Sequence, residues 1–177
     1  MFDTFRNLPL HALVVHAAVV LIPLEAFLGV LFVVPRLRAW SRWPLALVAI
    51  AATVTAWVAT QSGQELRDAL GLQDPAANEV AAQVARHADL GDQLVIFVVV
   101  YSVIALIAVY LMGRRPGSGP PDPEGGTDRG RRQPVAVGLS VLLVLGALAV
   151  GIQSFRVGDA GAKAVWNPTG QVDYSTD

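Results

Sequence analysis

The sequence predicts an all-α, polytopic membrane protein: a bundle of four transmembrane helices with both chain ends on the outer side. Three observations carry this expectation. Four long apolar runs are separated by polar links. Hydrophobic residues make up 54% of the 177 positions and charged residues 15%, whereas a soluble domain carries about 25% charge. The arginines collect in two of the links and the acids in the third.

The first span covers about 10–34 and contains His11, His16, Pro23 and Glu25. A hydrocarbon core about 30 Å thick takes about 20 helical residues. Backbone in lipid has to satisfy its own hydrogen bonds, so the spans are helices. This run exceeds the ~7–15 residues of a signal-peptide core, and Met1–Pro9 holds one Arg and one Asp. It reads as a retained helix that inserts with its N-terminus outside. The second span, about 43–62, is slightly short, with Trp43 and Gln61–Ser62 at its interfaces and Gly63 as its stop.

Residues 63–92 form a structured outer segment. Asp74 before Pro75 reads as an N-cap followed by Pro at the first helical position. From there Val80, Val84, His87 and Gly91 recur at helical spacing, so that stripe faces protein and leads, with a bend at Gly91, into the third span at about 93–112. The Pro/Gly-rich stretch 113–134 is a flexible cytoplasmic linker, because it has too little apolar surface to offset ordering. The fourth span covers about 135–155, and Asp159 follows its end. Small residues in rows, Ala51–Thr55–Ala59 and Ala147–Gly151, let helices approach closely. Helix pairs one–two and three–four show no sequence similarity.

Arg36, Arg38 and Arg42 lie in the first link and Arg114, Arg115, Arg129, Arg131 and Arg132 in the third, together 8 of the 13 Lys/Arg residues. The positive-inside rule puts both links in the cytoplasm. The middle link carries Glu65, Asp68, Asp74, Glu79, Asp89 and Asp92 against Arg67 and Arg86. Trp40 and Trp43 fit an inner interfacial belt and Trp166 an outer one.

With no cysteine, thiolate zinc sites, disulfides and covalent c-type haem attachment are excluded within the chain. A net charge of −1 and a pI near 6.3 point to no nucleic-acid partner. Glycine-rich phosphate loops, His-Glu-x-x-His and nucleophile elbows are absent, so no enzyme active-site motif stands out.

The chemistry-bearing residues cluster on the outer side. His11 opens the first span, and His16 lies about 7.5 Å further along it, rotated by roughly 140°. His87 sits just outside the third span. His11, His87 and Asp159 come near one level as a metal site, with His16 beneath. Imidazole is a ready ligand for haem or a transition metal, and ionisable groups in a membrane bundle are functional candidates. Counted from the span starts, His16 is about 9 Å below the outer surface and His87 about 9 Å above it. Those two make a poor axial pair, while His11 and His87 stand closer to level. The other reading has the histidines hydrogen-bonding across helices and capping the bundle. Glu25, mid-span, should be protonated or paired, bonded to Thr53, Thr55 or another polar group. A proton relay through Glu25 is the competing reading.

The opening Leu8-Pro9-Leu10-His11-Ala12-Leu13-Val14-Val15-His16 with Leu21-Ile22-Pro23-Leu24, His87 before the third span, and the closing Gly158-x-x-Gly161-Ala162-x-Ala164-Val165-Trp166 resemble a bacterial membrane family, domain of unknown function 2231. The resemblance covers most of the chain outside the Pro/Gly stretch. It implies a multi-pass domain of the bacterial inner (cytoplasmic) membrane with histidines near one face, His11, His16 and His87 matching the family pattern. Some members occur joined to Rieske-type or cytochrome c-type domains, so the resemblance suggests a redox setting, with a membrane redox complex as a partner beside the lipid bilayer. Asp159 stands where the family usually has His. A carboxylate can ligate zinc or iron but substitutes poorly for an axial imidazole. Three functions are therefore in play: an outward-facing His/Asp cluster holding a metal or haem for electron transfer, a cofactor-free structural or assembly subunit, and a small ion or proton carrier.

Overall fold

The computed structural model describes residues 4–5, 8–113 and 127–171. A two-residue antiparallel pair, β1 (Thr4–Phe5) and β2 (Leu8–Pro9), precedes four helices. These are α1 (Leu10–Val33), α2 (Arg38–Ala69), α3 (Glu79–Met112) and α4 (Thr127–Trp166). The shortest has 24 residues, about 36 Å at the helical rise, enough to cross a bilayer. All four are long and apolar enough to do so. The packing is that of a protein in lipid: small and aliphatic side chains such as Ala52, Ala105 and Leu143 fill the interior, while Phe27, Ile50, Trp57, Ile96 and Ile152 point outward. Outward Phe and Ile along a spanning helix replace lipid–lipid contact at no hydrophobic cost.

Each helix packs on its neighbour in sequence, and α1 closes the ring against α4. At one end of the bundle Arg38 donates from Nε to Phe32 O (3.2 Å) and from Nη2 to Val33 O (3.2 Å). Arg42 donates from Nη1 to Gly113 O (2.9 Å). These arginines thus cap the carbonyl ends of α1 and α3, where a cation also suits the helix dipole.

Tyr101 is the largest fully buried side chain. It lies in a slot between α1 and α4 made by two absent side chains. A Cβ on Gly146 would meet its Cδ2 at 2.6 Å, and one on Gly29 would meet its Cζ at 3.1 Å and run into its hydroxyl. Its hydroxyl donates weakly to Ala26 O at 3.4 Å.

The two helix pairs repeat one another in a way residue identity hides. One constant shift along the chain carries α1 onto α3, placing His11 on His87, Ala18 on Leu94, Ile22 on Val98, Glu25 on Tyr101 and Phe32 on Ala108. From Ala18 onward both members of each pair are buried. A second shift carries α2 onto α4, placing Leu45 on Leu143, Ala52 on Val150, Ser62 on Ala160 and Gly63 on Gly161. In a ring of four antiparallel neighbours this is an approximate half-turn about the bundle axis. What persists is the position of inward-facing residues, because packing constrains burial and volume more tightly than side-chain chemistry.

Three helix ends differ from expectation. Gly63 does not stop α2, which runs to Ala69 and ends through Leu70 N–H donating to Leu66 O (3.0 Å) and Gly71 at φ +68°. The N-cap of α3 is Asn78, whose side chain accepts from Ala81 N–H at 2.8 Å. Asp74 instead closes a separate turn, accepting from Ala76 N–H at 2.9 Å. Asp and Asn make the same side-chain-to-backbone bonds in turns and caps, so the pattern alone does not choose between them. Finally, α4 runs to Trp166, so Asp159 lies inside the helix rather than beyond it. α3 passes unbroken through Gly91. Residues 114–126 of the expected linker lie outside the described residues, and 127–134 already belong to α4.

Replacing Asn78 by Ala removes the cap and lowers stability by about 1 kcal/mol. Faster amide exchange at Ala81, with little change in the Asp74→Ala variant, is the expected result.

Candidate functional site

At the end of the bundle opposite Arg38 and Arg42, two histidines are held by one device used twice. His11, in the first turn of α1, donates from Nδ1 to Ala59 O of α2 at 2.9 Å. Its ring lies against Gly63, where a Cβ would come within 3.0 Å of Cε1 and 3.2 Å of Nδ1. His87, on α3, donates from Nδ1 to Val157 O of α4 at 3.1 Å. Its ring lies against Gly161, where a Cβ would come within 3.0 Å of Cε1 and 3.1 Å of Nδ1. In both cases the accepting carbonyl is four residues before the glycine, one helical turn away on the same face. A flat ring can reach that carbonyl only where the next turn carries no side chain.

The tautomer follows from this geometry. A carbonyl only accepts, so each Nδ1 carries a proton, and in the neutral ring that leaves the lone pair on Nε2. Among the described residues neither Nε2 has a hydrogen-bond partner. This is the arrangement that orients imidazole for ligation: the far nitrogen anchored to backbone, the near one left basic. The half-turn relating the pairs places the two rings at corresponding depths, each seven residues before the buried pair Ala18 and Leu94, about 10.5 Å along its helix. The imidazoles also lie within electrostatic reach of each other. Ser62 adds a hydroxyl that donates to Ala59 O at 3.1 Å and lies 3.4 Å from His11 Nδ1. Below His87, buried Gln153 of α4 donates to Leu90 O at 3.1 Å, and Arg156 donates to its Oε1 at 3.1 Å.

The other expected members do not join. His16 is exposed and bonds through Nδ1 to Ala12 O of its own helix. The 140° rotation from His11 turns it away from α2. Asp159 is exposed and paired with Lys163 at 2.8 Å, an i,i+4 pair on the surface of α4. Among the described residues no group of three His, Asp, Glu or Cys comes close enough to hold a metal ion. The His11, His87 and Asp159 trio is therefore not assembled. Glu25 lies far from this end, fully buried, and accepts from Ser102 Oγ of α3 at 2.8 Å. Ser102 in turn accepts from Thr53 of α2 at 2.9 Å.

Ser62 and Gly63, expected only as the end of the second span, and the carbonyls of Ala59 and Val157 are the parts of this arrangement that the sequence does not announce outright. A signal for the glycine existed: it lies inside a strong helical pattern with further helix-forming sequence, Gln64–Ala69, beyond it. A mid-helix Gly of that kind marks close packing rather than an end.

No curated protein and no solved structure matches this chain. Residues 7–173 match the family DUF2231, described as a predicted membrane protein. With four apolar helices spanning nearly all of that match, the chain belongs to the DUF2231 family of membrane proteins.

Proposed function

We propose that His11 and His87 would hold a haem and that the protein serves electron transfer at one face of a bacterial cytoplasmic membrane. The observation that carries this reading is the duplicated seat: two imidazoles, each held at Nδ1 by a carbonyl and packed at its Cε1 side against a glycine, with Nε2 outside both bonds. A lone metal ion in a tetrahedral protein site needs at least three side-chain ligands, and no such group forms among the described residues. A haem, by contrast, can be held by two side chains. Bound there, the iron would supply one-electron chemistry. The chain's own part is to hold both rings in one tautomer and orientation. The arginine-rich links favour a cytoplasmic location for the opposite end, which puts the histidines and both chain ends outside. The joining of some family members to Rieske-type or cytochrome c-type domains is what favours a membrane redox complex as partner.

Full-length protein produced with haem supplied and purified in detergent is expected to show a Soret band, with sharp visible bands on reduction. His11→Ala and His87→Ala each lose the low-spin spectrum, while His16→Ala and Asp159→Ala keep it. Wild-type protein that is folded and haem-supplied yet shows no Soret band refutes the reading. The His–carbonyl bonds would then be interhelical ties in a cofactor-free subunit.

A further inference from the structure

A second polar cluster lies about 21 Å along α1 from His11 at the helical rise. Glu25 is 0% exposed. Its Oε1 is 2.8 Å from Ser102 Oγ, and its Oε2 is buried without a partner. Ser102 Oγ is also 3.2 Å from Ala49 O and accepts from Thr53 Oγ1 at 2.9 Å. Around it the spans are bare of charge. Between Pro44 and Gln61 on α2 and between Gln133 and Phe155 on α4 no Asp, Glu, Lys, Arg or His occurs. The titratable group facing Glu25 from α3 is Tyr101, which precedes Ser102.

The hydroxyl of Ser102 has one proton and two acceptors within reach. This allows two complete arrangements with the heavy atoms in place. With Glu25 protonated on Oε1, the acid donates to Ser102 Oγ, Ser102 donates to Ala49 O, and Thr53 donates into the remaining lone pair of Ser102. With Glu25 ionised, the Ser102 proton swings from Ala49 O to Oε1, so the carboxylate gains a charge-assisted donor backed by Thr53. A purely structural acid needs one arrangement; this cluster supports both. The unpartnered Oε2 leaves one oxygen of the carboxyl free for a water molecule that delivers or takes the proton.

We propose that Glu25 is a reversible proton-binding site at the centre of the bundle, with Ser102 as the hydroxyl that re-aims between its two charge states. The step is a proton transfer: a half-turn of the carboxyl presents the protonated oxygen to the water, the Glu25 O–H bond breaks, the water becomes hydronium, and the carboxylate keeps the electron pair while Ser102 donates to it. This site is independent of the histidines.

The test uses dicyclohexylcarbodiimide, an apolar reagent that modifies protonated carboxyls in lipid-like surroundings, on the full chain in detergent with peptide mass spectrometry. We expect an adduct on the peptide holding Glu25 at low pH, fading as pH rises, and none in Glu25→Gln, which keeps the side-chain shape. Ser102→Ala removes a partner from both states. The charged state loses more, since charge-assisted bonds are about twice as strong as neutral ones, so the labelling midpoint moves up by about one pH unit. Three results would overturn the proposal: no Glu25 adduct in folded protein at any pH, labelling that ignores pH, or protection by sodium at fixed pH, which would assign the site to a metal cation. An unmoved midpoint in folded Ser102→Ala protein would overturn the role of Ser102.

Discussion

Gly29→Ala is expected to destabilise the bundle by roughly 2–3 kcal/mol, the upper part of the range for overpacking a core. The added methyl would run into the hydroxyl of Tyr101 and come within 3.1 Å of its Cζ. The ring cannot retreat, because a Cβ on Gly146 would already meet its Cδ2 at 2.6 Å and its Cε2 at 3.0 Å from the α4 side. Tyr101 is thus clamped between α1 and α4, and the helix spacing is set by its thickness. Removing the hydroxyl should relieve the first clash. The Gly29→Ala/Tyr101→Phe double variant is expected to be more stable than Gly29→Ala alone, with a coupling energy of about 1 kcal/mol or more. Gly146→Ala should gain nothing from the same Phe change, because its clash is with ring carbons. Denaturant or thermal unfolding in one detergent, read on the wild type and the five variants, decides this. Simple additivity of Gly29→Ala and Tyr101→Phe would show that the slot adjusts and that Tyr101 does not set the spacing.

Gly161→Val is the second large effect expected, and it bears on function. Its Cβ alone would stand 3.0 Å from Cε1 of His87, and the branched methyls leave the ring no flat seat. The imidazole has to swing off, giving up the bond from Nδ1 to Val157 O. Losing such an orienting partner costs about 10–100-fold in metal affinity at comparable sites, so the proposed haem should bind that much more weakly. Gly63→Val should do the same to His11. Gly158→Val is the matched control: it lies in the same stretch of α4, with nothing within 4 Å of its would-be Cβ, and should bind as wild type does. Haem titration followed by absorbance, beside a melting curve for each variant, separates loss of the seat from loss of the fold. Wild-type affinity in folded Gly161→Val would show that the glycine seat does not orient the ligand.

The four spans were legible because the cost of exposing peptide groups to hydrocarbon forces long unbroken apolar helices, and length and composition report that directly. Helix ends were less so. Hydropathy marks where lipid stops, whereas α2 and α4 continue beyond it, to Ala69 and Trp166. Hence Gly63 read as an end and Asp159 as a loop residue, though both sit within helices. Asp74 and Asn78 carry the same capping chemistry four residues apart, and the choice fell to Asn78 through its bond to Ala81.

Of the candidate site, the sequence shows the residues but not their partners. His11 and His87 stand out as rare ionisable groups near spans, and the rotation between His11 and His16 already implied that one helix face could not hold both. Nothing in residue order says which of the two turns inward, or that a glycine on the next helix receives it. Glu25 was expected to bond to Thr53, Thr55 or another polar group, and Thr53 reaches it through Ser102, a residue of α3. The repeat between helix pairs was invisible for a related reason. Glu25 and Tyr101 share no chemistry, yet both are inward positions of the same half-turn arrangement.

The sequence by itself determined that this protein crosses a membrane as four rods and that its ionisable groups are few. Local energetics settle both, because each helix must satisfy its own backbone whatever its neighbours are. Only the tertiary structure decided that His11 meets Ala59 and Gly63 while His87 meets Val157 and Gly161, and that His16 and Asp159 stay outside. Those pairings depend on how the rods rotate and how deeply they approach, and these are set by close packing between residues from about 50 to 75 positions apart.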